Sequence, residues 1–157
     1  MNKKKGFPIK LLGFLRISVG ALFIVSGFMK LMQPYQNFLS VVHSYEILNG
    51  SLAEIFSIAM PWAEFILGVF LVLGLWLRPV ILTLWGLNTL FIIALASAIL
   101  RRLPIQECGC FGEKFSLPPQ WMLILDILLW FVFMAFAGFF DHTKSFSLDK
   151  KFDSSLR

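Results

Sequence analysis

The chain has 157 residues, of which 58% are hydrophobic and 15% charged, with a mean hydropathy of +0.79 and a formal net charge of +5. A soluble fold of this length cannot hide so much apolar surface, so the composition excludes a water-soluble domain and indicates an integral membrane protein. The positive charge gathers in the two tails, which makes it topology information for a membrane and not a nucleic-acid footprint.

Residues 1–10 form a basic tail with Lys3, Lys4, Lys5 and Lys10, followed by an apolar run from Leu11 to Met32. The run matches the ~20 residues that cross a bilayer, and no small-x-small cleavage site precedes Lys30, so it reads as a signal anchor. Gly13, Gly20 and Gly27 recur every seventh residue, and Arg16, Phe23 and Lys30 share a stripe at helical spacing. Two readings of this face are open. In one it is a small-residue packing seam whose cations snorkel to opposite interfaces. In the other Lys30 faces the bundle near the outer surface, where it supports a thiolate.

Gln33 to Ser57 reads as an extramembrane loop holding a short amphipathic piece, with Phe38, Val41, Val42 and Tyr45 at helical spacing. His43 and Glu46 stand three apart and share a face, as solvated residues or as ligands. A second apolar run spans 58–77, with Pro61 expected in its first turn and Arg78-Pro79 expected to close it. Glu64 then lies just below the outer interface, facing the bundle interior, either as an ion-pair partner of Lys30 or as a proton relay. The third run, 80–100, carries Asn88 near its midpoint, where a cross-helix hydrogen bond is the expectation and ligand contact the alternative.

The chain's two cysteines follow, in Cys108-Gly109-Cys110-Phe111-Gly112. Residues i and i+2 in a turn can approach the Cα separation a disulfide needs, and Gly109 supplies the backbone freedom such a ring requires. A ring this small is strained, and strained disulfides are the exchangeable kind. Reversible thiol-disulfide chemistry, a metal half-site and inert cysteines are the three readings. The fourth run, 120–140, begins with Trp121 at the level of an interfacial belt and places Asp126 roughly 10 Å below its start, as a relay or an ion-pair partner. The polar tail, 141–157, reads as disordered.

The fold class is therefore all-α, an integral membrane four-helix transmembrane bundle with both termini on one side. Ten basic residues fall on the terminal side (Lys3, Lys4, Lys5, Lys10, Arg16, Arg78, Lys144, Lys150, Lys151, Arg157) and four on the motif side (Lys30, Arg101, Arg102, Lys114). The positive-inside rule places the termini in the cytoplasm and the cysteines outside.

Five stretches together resemble the MauE/DoxX family of small four-helix membrane proteins, most closely its MauE-like, redox-associated branch. They are Ser26-Gly27-Phe28-Met29-Lys30, Pro61-Trp62-Ala63-Glu64, Gly74-Leu75-Trp76-Leu77-Arg78, the Cys108 to Gly112 motif, and an acidic residue, Asp126, early in the last span. The resemblance covers Leu11 to Phe140. It implies extracytoplasmic disulfide or redox chemistry in the cytoplasmic (inner) membrane, with a thioredoxin-like partner and, in methylamine metabolism, maturation of a disulfide-rich subunit. On this reading Cys108 and Cys110 are redox-active, Gly109, Phe111 and Gly112 shape their loop, and Lys30, Glu64 and Asp126 handle protons or pair with one another. A quinone in the bilayer is the natural acceptor. The alternatives are a non-enzymatic assembly factor for the thioredoxin-like partner, and a small transporter or metal-handling protein drawing on His43 or Glu46.

Overall fold

The computed structural model describes residues 9–48, 50–103 and 118–138. The basic tail ahead of residue 9, the motif Cys108-Gly109-Cys110-Phe111-Gly112 and the residues after 138 lie outside the described residues. The elements are α1 (Ile9–Leu31), α2 (Tyr35–Ser44), α3 (Ser51–Leu73), α4 (Leu77–Leu100) and α5 (Pro119–Gly138). All but α2 are long and apolar enough to cross a membrane, and no strand occurs among the described residues. Phe14, Ile58, Leu90 and Leu128 point outward on the four long helices. Apolar surface on every side suits hydrocarbon, where a helix satisfies its own backbone and needs no water.

The bundle is built from two helix pairs, α1 with α3 and α4 with α5. The first is a seam of small residues. A Cβ on Gly20 would lie 3.1 Å from the Gly68 carbonyl oxygen, and one on Gly27 would lie 2.8 Å from the Pro61 carbonyl oxygen. Backbones approach this closely because packing, with no hydrophobic drive between helices in lipid, supplies the association. The second pair is aromatic: Trp85 and Trp130 have ring centroids 5.4 Å apart. Trp130 Nε1 donates to Thr89 Oγ1 at 3.2 Å, and Thr89 Oγ1 donates to the Trp85 carbonyl at 2.8 Å. Leu71, Leu77, Leu84 and Phe133 join the pairs, with Phe23 of α1 seated 5.9 Å from the Phe133 ring.

Two helix boundaries differ from the sequence reading. The helix α3 begins at Ser51, not at residue 58, because Leu52, Ile55 and Phe56 already carry apolar side chains across the polar Glu54. Pro61 is consequently buried inside α3, where its missing N–H deprives the Ser57 carbonyl of its helical donor. At the other end α3 stops at Gly74, left-handed at φ 71°, whose N–H donates to the Phe70 carbonyl at 2.8 Å. Pro79 ends nothing: it lies in the first turn of α4, where the missing N–H has no helical partner anyway.

Between α1 and α3, α2 turns Phe38 and Val42 inward against Ala53 and Met60 and leaves Ser40, His43 and Ser44 exposed. Arg101, past the end of α4, pairs with Glu46 and donates to the Tyr45 carbonyl at 3.3 Å, tying α4 to the end of α2. Both partners of the ion pair are about half exposed, so the pair contributes little, on the order of 0–1 kcal/mol. Arg101→Gln is therefore expected to shift SDS-induced unfolding in mixed micelles by no more than about 1 kcal/mol. A larger shift would show that this contact anchors α2.

Candidate functional site

Five polar side chains from all four spans converge inside the bundle: Ser26 and Lys30 of α1, Glu64 of α3, Asn88 of α4 and Asp126 of α5. Each is buried, the most exposed at 7%. They line one cavity of ≈ 30 Å³, together with Phe91 and neighbouring apolar residues. Ser26 is one helical turn before Lys30, so both project from the same face of α1. Lys30 Nζ donates to Glu64 Oε1 at 2.8 Å and to Oε2 at 2.7 Å, while Ser26 Oγ donates to Oε2 at 3.0 Å. The ammonium is further enclosed by the rings of Phe38 and Phe91, with centroids at 5.2 and 5.5 Å. Across the cavity, Asn88 Nδ2 donates to Asp126 Oδ1 at 3.3 Å. Asn88 Oδ1 accepts no hydrogen bond among the described residues, and the cavity has room for a water that would donate one.

This geometry replaces the snorkelling reading, since Lys30 and Arg16 are both buried within the bundle, at 5% and 1% exposure. Removing both from the loop count leaves the excess of basic residues on the terminal side. Glu64 is thirteen residues into α3, roughly 20 Å along its axis, because the helix starts earlier than its hydropathy suggests. Asn88 stands at the middle of α4, and Arg101 is roughly 20 Å farther along. The cluster lies beneath α2, with Lys30 in the last turn of α1 and Asp126 seven residues, roughly 10 Å, into α5.

Leu103 and Pro118 flank the cysteine segment, and Arg101 places that end of the bundle beside α2. His43 is exposed and Glu46 is engaged by Arg101, and no three His, Cys, Asp or Glu gather to hold a metal among the described residues. The sequence reading missed Ser26 as a third member of the ion pair. The spacing of four from Lys30 was the available signal. The cross-helix hydrogen bond expected of Asn88 is present, and its partner is Asp126.

Four helices long and apolar enough to cross a membrane, packed around buried polar side chains, define a multi-pass membrane protein. Residues 9–140 match the family model described as methylamine utilisation protein MauE, and the chain belongs to that family. It is 29% identical over 115 residues to the methylamine utilization protein MauE of Paracoccus denitrificans, a match covering 73% of this chain and 61% of that protein. It is 28% identical over 103 residues to the MauE of Methylorubrum extorquens, covering 66% of this chain and 55% of the relative. The matched stretch thus spans less than two thirds of the length of these relatives. No solved structure matches the chain.

Proposed function

We propose that this protein is the membrane component of an extracytoplasmic thiol-disulfide system, in which Cys108 and Cys110 exchange a disulfide with a thioredoxin-like partner during maturation of disulfide-containing proteins. The observation that carries it is the chain's cysteine usage: two residues, separated by one glycine, within a segment flanked by the ends of two spans. A thiolate of the partner attacks one sulfur and the Cys108–Cys110 bond breaks, giving a mixed disulfide. The partner's second thiol displaces that sulfur, so the partner leaves oxidised and Cys108 and Cys110 remain as a dithiol. Two electrons and two protons have moved to this protein. Lys30, Glu64 and Asp126 are the groups that handle protons inside the bundle, and Gly109, Phe111 and Gly112 shape the cysteine loop. The charge asymmetry supports a cytoplasmic-membrane location with both termini inside and the cysteines outside. The names of the relatives supply the setting, methylamine utilisation.

With either cysteine replaced by serine, intact cells are expected to accumulate a mixed disulfide between this protein and a thioredoxin-fold protein, visible on non-reducing gels. The adduct should vanish when both are replaced. A membrane-impermeant maleimide should label the wild-type thiols only after reduction. Free thiols in aerobic cells, or labelling only after lysis, would overturn the reading. Full maturation activity in the double-serine variant would leave a non-enzymatic assembly factor.

A further inference from the structure

We infer that the apolar pocket between α2, α3 and α4 binds the ring of a lipid-soluble quinone. The inference rests on the thiol-disulfide reading, which leaves a dithiol in need of a two-electron acceptor.

The pocket has a volume of ≈ 350 Å³ and is walled by Phe38 and Val42 from above, Phe56 and Met60 on one side, and Leu87 and Phe91 on the other. That volume is within the range of small-molecule sites. It holds a substituted ring and the start of a tail, with the remainder of the tail left in lipid. Two further lining residues, Leu90 and Ile93, are 56% and 58% exposed on the outer face of α4, so the entrance opens sideways into hydrocarbon. The lining is almost entirely apolar, which suits a ligand that arrives from lipid.

The inner wall distinguishes a ring with carbonyls from an acyl chain. Phe91 lines both this pocket and the polar cavity. One aromatic ring therefore separates a bound ligand from Lys30, whose ammonium is within 5.5 Å of the Phe91 and Phe38 centroids. A flat ring stacks on these phenyl faces, and Tyr45 is the lining residue whose side chain carries a hydroxyl for the ring oxygens. A saturated chain packs there by dispersion alone and makes no use of the hydroxyl. Position along the membrane agrees: the pocket extends along α4 from Leu87 to Ala94, and Ala94 is seven residues, roughly 10 Å, before Arg101. Its deep end is level with the buried cluster, whose Asn88 follows Leu87, and its other end points toward the end of the bundle that carries the cysteine segment.

The chemistry balances. Cys108 and Cys110 as a dithiol lose two electrons and two protons in forming their S–S bond. The quinone takes up two electrons in the ring and two protons on its oxygens, and leaves as the quinol.

The test uses the purified full-length protein in phosphatidylcholine nanodiscs, with a photoreactive azido-quinone as probe and decyl-ubiquinone as competitor. Crosslinks are expected on peptides containing Met60 and Phe91, competed by decyl-ubiquinone. Ala94→Trp, which fills the pocket, and Leu90→Trp, at its lip, should each weaken labelling roughly tenfold, about 1.4 kcal/mol of binding. Leu128→Trp, on the outer face of α5, should not. Cys108→Ser with Cys110→Ser should bind as the wild type does. Crosslinks scattered over the outward faces, indifference to both tryptophans, or a co-purified phospholipid that quinone cannot displace would overturn the site. Saturable binding without oxidation of the dithiol would keep the site and refute the redox reading. Thiol exchange without binding would do the reverse.

Discussion

Lys30→Met is expected to lower the stability of the bundle by about 3–5 kcal/mol, the usual cost of removing one partner from a buried ion pair. Glu64 is only 2% exposed, and without Lys30 its carboxylate keeps a single described donor, Ser26 Oγ at 3.0 Å. Methionine fills a similar length and packs against Phe38 and Phe91, so lost volume does not account for the loss. The sign of the effect should reverse in the second step of a cycle: adding Glu64→Gln to Lys30→Met removes the unpaired charge and recovers most of the stability. Unfolding by SDS in mixed micelles measures both steps. A single variant as stable as wild type would show that Glu64 does not depend on Lys30 for its charge.

The second large effect lies one turn away. Gly27→Leu places a Cβ 2.7 Å from the Phe65 backbone nitrogen and 2.8 Å from the Pro61 carbonyl oxygen, both on α3. These are main-chain atoms that cannot rotate aside, so α1 and α3 must separate. Overpacking of this kind costs about 1–3 kcal/mol. Here the consequence extends further, because Gly27 stands between Ser26 and Lys30. Parting the helices stretches all three hydrogen bonds to Glu64, and Gly27→Leu should lose partner exchange as well as stability. Gly86→Ala is the matched control: nothing lies within 4 Å of the added methyl group, and alanine is the better helix former by about 1 kcal/mol. It should be neutral or mildly stabilising in the same assay. Equal behaviour of the two substitutions would mean that the α1–α3 seam does not set the geometry of the pair.

The four spans were legible because hydropathy in a membrane is nearly a direct readout of length, and the heptad of glycines announced a close seam before any partner was known. The upper third of α3 was not legible. Gly50 and Glu54 interrupt the apolar run, and hydropathy cannot register a helix that continues past the hydrocarbon under the cover of α2. Pro61 and Pro79 misled for different reasons. Inside α3 the missing donor of Pro61 is tolerated by a helix packed in lipid, whereas Pro79 marks the start of α4, the turn having been made already at the left-handed Gly74. Lys30, Glu64 and Asp126 each announced themselves as ionisable residues in apolar runs. Which of them meet depends on the register of α1 against α3, fixed by contacts of Gly20 and Gly27 that involve two distant stretches of chain. The cysteine motif is a reading of sequence throughout.

The turn at Gly74 has a mechanical consequence. Residues 74–76, with Gly74 and Trp76 both at positive φ, join α3 to α4 at one extremity, while at the other the short α2 lies between them, held to Arg101 by an exposed ion pair and one hydrogen bond to the Tyr45 carbonyl. The arrangement is that of tongs, fixed at the handle and loosely latched at the jaws. Separation of α3 from α4 is therefore resisted far more at the handle, where the chain itself joins them, than at the jaws, where the latch of Glu46 and Arg101 adds little.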